Sequence, residues 1–119
     1  KVFPPGTVLR GVVIEQEGRI SFGRQMGSYP ILVGIPLRLP VRAVFDVVVV
    51  EHGMRSVTAL PSPIRINELP LAALKWIPGI GGKLAGRVFS HRPLRDKQEL
   101  RSLAGILPLE DHISFITSP

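Results

Sequence analysis

Residues 43–63 read AVFDVVVVEHGMRSVTALPSP, and their reading decides the fold. Ala43–Glu51 is dominated by β-branched residues, with Val47–Val50 in an unbroken row, which predicts a buried strand. Glu51-His52-Gly53 is a tight hairpin signal, and Met54–Leu60 supplies the returning strand. Pro61-Ser62-Pro63 then forms a stiff linker, beyond which the apolar period changes from 2 to about 3.6.

Upstream, the β pattern continues. Thr7–Ile14, Arg19–Gly23 and Ile31–Gly34 each read as a short strand, separated by glycine and proline. Five such strands predict a small closed barrel, because closure removes the edges that a valine-rich strand would otherwise expose. Downstream, Leu71, Leu74 and Ile77 mark one helix, Leu84, Val88 and Phe89 a second, and Leu100 with Leu103 a third. Asp96 and Glu99 form a capping-box pattern before that third helix, and Pro108 with Glu110 and Asp111 can open a fourth. The expected fold class is therefore α+β, with an all-β five-stranded barrel over residues 1–63 and an all-α four-helix domain over residues 64–119. A repeat at an offset of 26 residues matches Leu74…Ile77-Pro78-Gly79-Ile80 to Leu100…Leu103-Ala104-Gly105-Ile106, and Phe89 to Phe115. Two such units would pack as a pseudo-two-fold bundle, with Ile80 and Ile106 plugging the shared core. The copies part where Gly81 meets Leu107.

Composition bounds the function. With 119 residues the chain can bury only a modest core, and 15 Lys plus Arg against 9 Asp plus Glu leave a net charge of +6. That excess favours a polyanionic partner. There is no cysteine, so the chain offers no disulfide and no thiolate for a metal or an iron–sulfur cluster. No apolar run approaches a membrane span and no signal segment opens the chain, so a cytoplasmic setting without a membrane partner is expected. The first residue is Lys1 rather than Met, which leads us to expect a piece of a longer protein.

The segment Ile77–Ala85, IPGIGGKLA, sets glycines against a lysine. A phosphate loop of nucleotide-binding enzymes needs Ser or Thr after its Gly-Lys, and here Leu84 follows Gly82-Lys83. The dinucleotide Gly-x-Gly-x-x-Gly pattern also fails at Leu84, and a helical segment precedes it. A sharp turn between two helices fits better. Gly79 and Gly81 permit the reversal, Ile80 plugs the core, and the second helix turns its unpaired amides toward an anion at Gly81 and Gly82. Lys75, Lys83 and Arg87 add cations, joined by Arg92 and Arg95, with no acid between Lys75 and Arg95.

The pattern Leu74-x-x-Ile77-Pro78-Gly79-Ile80-Gly81-x-x-x-Ala85-x-x-Val88 resembles the helix-hairpin-helix family, which grips DNA or RNA backbones without reading sequence. With Ile66-Asn67, Arg92-Pro93-Leu94 and Leu100, residues 66–116 are similar to the tandem helix-hairpin-helix domain of bacterial competence DNA receptors. In the β half, Val33-Gly34-Ile35-Pro36, Val44-Phe45-Asp46-Val47 and Thr58-Ala59-Leu60 resemble the TRAM domain, an oligonucleotide-binding-like (OB-like) barrel of RNA-modifying enzymes. In the loop FGRQMGSYP (residues 22–30), Phe22 and Tyr29 could stack bases while Arg19 and Arg24 hold phosphates; equally, the loop could be a long hairpin tip with Tyr29 lying on the barrel. Barrel, loop and hairpins together look like the C-terminal region of uncharacterised archaeal radical-SAM proteins. That resemblance implies an upstream catalytic domain of the same chain holding an iron–sulfur cluster and S-adenosylmethionine, with no cofactor in these residues.

No catalytic or metal-binding constellation emerges. His52, His91 and His112 are scattered, and Asp46 stands alone in a β run, either on the outer face or hydrogen-bonded. The expected function is a non-enzymatic, non-sequence-specific nucleic-acid-binding module, for RNA or DNA, serving a larger enzyme. The alternative is a protein-docking module that orients a catalytic domain without touching nucleic acid.

Overall fold

The structure, a computed structural model, describes residues 3–27, 31–53 and 56–117. The chain divides into two compact units, Lys1–Ser62 and Pro63–Pro119.

The first unit is a closed five-stranded barrel of β1 (Val8–Gln16), β2 (Ser21–Gln25), β3 (Leu32–Ile35), β4 (Val44–His52) and β5 (Ser56–Pro61), in the order β1-β2-β3-β5-β4. Neighbours run antiparallel except β3 and β5, which are parallel. Alternation puts Leu9, Val12, Ile14, Val33, Ile35, Val47, Val49, Val57 and Ala59 into one buried cluster. β1 bulges between Leu9 and Val12, and there Asp46 finds its role. Its carboxylate accepts from the Gly11 amide (3.0 Å) and from Arg10 (3.2 Å), so it is both outward-facing and hydrogen-bonded. Gly23 marks the tightest crossing: a Cβ there would lie 2.4 Å from the Val13 carbonyl oxygen. The buried Ser21 hydroxyl donates to the Leu37 carbonyl (2.7 Å) and accepts from the Leu39 amide (2.9 Å), pinning the turn after β3.

The second unit holds β6 (Ile64–Arg65), α1 (Leu71–Leu74), α2 (Gly82–His91), α3 (Lys97–Ala104), a single 3₁₀ turn (Glu110–His112) and β7 (Ile113–Ser114). Two expectations are corrected. The unit is not all-α, because β6 and β7 pair in parallel, Ile64 with Ile113 and Arg65 with Ser114. Nor does it have four helices: three α-helices form among the described residues, and the segment after Pro108 makes only the 3₁₀ turn. The reason is local. Glu110 turns back to pair with Arg101, and the chain must be extended by Ile113 to meet β6. The repeat breaks with it. Ile80 is buried as expected, but Ile106 is 76% exposed and Leu107 enters the core instead.

Asn67 closes this unit. Its side-chain amide donates to the carbonyls of Leu94 (2.9 Å) and Phe115 (3.0 Å), and its side-chain oxygen accepts from the Leu94 amide (2.7 Å). Three part-buried backbone groups thus rely on one side chain, and leaving such groups unpaired is costly. Asn67→Ala is expected to lower unfolding free energy by about 2–4 kcal/mol, measured by urea denaturation of this chain. A loss under about 0.5 kcal/mol, the range of an ordinary surface change, would show that these bonds are replaceable.

Candidate nucleic-acid interface

The site is built on the turn between α1 and α2. Pro78 disfavours a helical Ile77, so α1 closes at Leu74 after one turn. Ile77-Pro78-Gly79-Ile80 then makes a β-turn closed by the Ile80 amide on the Ile77 carbonyl (2.8 Å). Proline followed by a positive-φ glycine (Gly79, φ 91°) is the type II arrangement. Gly79 is also required by packing, since a Cβ there would sit 2.8 Å from Leu107 Cδ2.

Gly81 is different. It is the N-cap of α2 in extended conformation (φ −90°), and a Cβ on Gly81 or Gly82 would meet nothing within 4 Å. Neither conformation nor packing asks for glycine at these two positions. Gly81 brings no side chain to cap α2, and the N–H groups of Gly82, Lys83 and Leu84 have no intrahelical acceptor, as in any helix start. The first turn carries no acid. Ala85 and Val88 bury the inner face, which leaves Lys83 and Arg87 exposed together, one turn apart.

The start of α3 shows the opposite arrangement. Asp96 accepts from the Glu99 amide (3.0 Å), and Glu99 accepts from the Arg95 amide (2.5 Å), so side chains already satisfy this end. The acids near the second hairpin are likewise engaged: Lys97 meets Asp111 at 2.8 Å, and Arg101 pairs with the largely buried Glu110. Hydrogen bonds from Arg101 and Lys97 hold the carboxyls of Glu110 and Asp111 below their ordinary range.

Pairing also sorts the predicted cations. Arg95 is held by Glu99 (3.2 Å). Arg92 braces the fold: its guanidinium donates to the carbonyls of Leu69 (2.7 Å) and Ile66 (3.2 Å) and lies 4.3 Å from the Phe89 ring centroid. Among the described residues, no ion pair involves Lys75, Lys83 or Arg87. Lys75 and Gly82 line one groove of about 310 Å³ with Leu71, Ala72 and Ala85. The motif alone does not reveal Leu71 and Ala72; the available signal is a large apolar residue left 46% exposed. Of the predicted hairpin contacts, Gly81, Gly82, Lys83, Arg87 and Lys75 reach the surface around the α2 start, whereas Ile80 is core and serves the turn.

On the barrel, Phe22 and Arg24 come together beside a depression of about 340 Å³ that Glu15, Gln16 and Leu32 complete. Arg24 is paired with Glu15 (3.2 Å), and the Phe22 ring lies against Gly34, where a Cβ would be 3.3 Å from Cε1. Arg19 is exposed but does not line the depression, and Tyr29 lies outside the described residues. The His91 ring donates to the Arg87 carbonyl (2.8 Å) at the end of α2. Among the described residues no cluster of three His, Cys, Asp or Glu could hold a metal, and no helix is long and apolar enough to cross a membrane.

No family model matches the chain, and no solved structure matches it. Two curated archaeal proteins do. An uncharacterized protein of Archaeoglobus fulgidus is 35% identical over 105 residues, which is 88% of this chain and 19% of that protein. An uncharacterized protein of Methanocaldococcus jannaschii is 49% identical over 61 residues, 49% of this chain and 11% of that protein. The matched segments therefore span 19% and 11% of these relatives.

The unequal turns predict unequal responses. Leu107→Ala is expected to cost about 2–5 kcal/mol, because Leu107 is buried against the Gly79 turn. Gly81→Leu enters open space and is expected to cost less than about 1 kcal/mol. Paired denaturant melts check both; a larger loss for Gly81→Leu would mean that its glycine is structural.

Proposed function

We propose that this chain is a nucleic-acid-binding module that grips a phosphodiester backbone without reading sequence, chiefly through its helical unit. One observation carries the reading. The start of α2 is left without a cap from Gly81 and without acids in its first turn, beside three cations that have no ion pair among the described residues, while the start of α3 is capped by Asp96. Exposed amides at a helix N-terminus, reinforced by mobile cations, suit a phosphate. The α1–α2 pair with its Pro-Gly-Ile-Gly turn supports this as a single helix-hairpin-helix unit. The segment after Gly105 would pack rather than bind, since it forms a 3₁₀ turn in place of a second helix and Pro108 removes a donor.

The barrel has a lesser part in this reading. Its strand order is that of oligonucleotide-binding barrels, whose β2–β3 face takes bases. Three of its arginines, Arg10, Arg24 and Arg38, are already paired with carboxylates. The greater length of the relatives supports an accessory role, in which the module presents a nucleic acid to a catalytic domain elsewhere in a longer protein. The radical-SAM identity of that domain belongs to the same proposal. Residues of this chain do not fit an iron–sulfur cluster, as they include no cysteine, and such a group would be held elsewhere.

The test is salt-dependent binding to oligonucleotides. Log affinity should fall linearly with log salt, and Lys83→Glu with Arg87→Glu should weaken binding more than tenfold at low salt and flatten the slope by roughly 1.5–2. Affinity indifferent both to salt and to these two changes would replace this reading with protein docking.

A further inference from the structure

The groove between α1 and α2 is more than a neighbour of the α2 start. Its floor is small and apolar: Ala72, Gly82 and the buried Ala85. Leu71 stands at its side, almost half exposed, and Lys75 supplies a charge with no ion-pair partner among the described residues. Between Glu68 and Asp96 the chain has no acid, and the one charged residue that lines the groove is Lys75. Resting on the backbone-binding reading above, we propose that this groove seats one nucleoside of a single-stranded nucleic acid, whose phosphate lies toward Gly82 and Lys83.

Chemistry selects this occupant. An apolar floor with a cationic edge suits a flat, weakly polar body that carries an anion, and a nucleotide is such a body. The volume, about 310 Å³, is at the small end of ligand pockets and fits one such unit rather than several. In a duplex the bases are paired and stacked, so their edges are presented in the grooves but their faces are hidden. A base reaches this floor only from an unpaired strand, where splayed bases are read by contact with their faces. The glycine at 82 serves the same geometry. A Cβ there would meet no atom of another segment within 4 Å, and a side chain extending from it would narrow the groove beside the open amides.

Fluorescence anisotropy separates the outcomes, using this chain with labelled oligo(dT), oligo(U), an abasic strand of equal length and a duplex. The base-bearing strands should bind at least tenfold tighter than the abasic strand, with equal salt slopes. Ala72→Trp fills the groove from an exposed position and should erase that difference while abasic binding stays unchanged. Leu71→Ser, a milder change at a half-exposed side chain, should reduce it severalfold even if the tryptophan variant misfolds. Equal affinity for abasic and base-bearing strands, or tighter binding of duplex, overturns the groove assignment. If Lys83→Glu with Arg87→Glu still abolishes binding, the backbone reading stands without the groove. If no strand binds in a salt-dependent way, both fail. Displacement of oligo(dT) by an acidic leucine-rich peptide, with no abasic effect, would hand the groove to a protein partner.

Discussion

The second unit depends on one amide side chain. Asn67 comes just after β6, yet its bonds reach the α2–α3 connection at Leu94 and the residue after β7, Phe115. Glutamine or aspartate could not replace it simply: one is a methylene too long, and the other lacks the donor that both carbonyls need. Arg92 works from the opposite side, bonding the carbonyls of Ile66 and Leu69 on either side of Asn67. Between them these two residues satisfy five backbone groups, on Ile66, Leu69, Leu94 and Phe115, that lie outside every helix of the unit. The consequence reaches the site. A one-turn helix has little stability of its own, so the placement of α1 beside α2, and hence the groove they share, derives from tertiary bonds rather than from helix propensity.

Much of this fold is legible from elementary patterns. Short β-branched and apolar runs mark all five barrel strands, and the Pro-Gly pair specifies the turn that opens α2. The aspartate at 96 finds the start of α3 because its oxygen can reach an amide three residues on. What escapes is of another kind. β6 and β7 have two residues each, too few to show alternation, and their pairing joins residues almost fifty positions apart. The exchange of Ile106 for Leu107 is equally hidden, since both are branched apolar residues and only the course of the chain after Gly105 decides which turns inward. In the site, the glycines and cations are visible as a motif, but the neutralised cations are not all distinguishable. Arg95 with Glu99 is a readable four-residue spacing; Lys97 with Asp111 is a tertiary contact.

The composition of α2 is unfavourable for a helix. Ten residues that begin with glycine and include a second glycine at 86 give up about 2 kcal/mol relative to alanine at both positions. Neither glycine relieves a clash, as a Cβ at either would meet nothing within 4 Å. Gly82 and Gly86 are four residues apart, and so are Lys83 and Arg87, so each pair forms a stripe along the helix and the two stripes adjoin. One stripe is bare backbone and the other is positive charge. Under the proposed function, a strand laid along the bare stripe would approach the helix more closely than side chains permit, with its phosphates toward both cations. Burial of Ala85 and Val88 on the inner face holds the helix together despite its weak propensity. Packing therefore supports α2 from within, while its outer surface presents bare backbone beside two exposed cations.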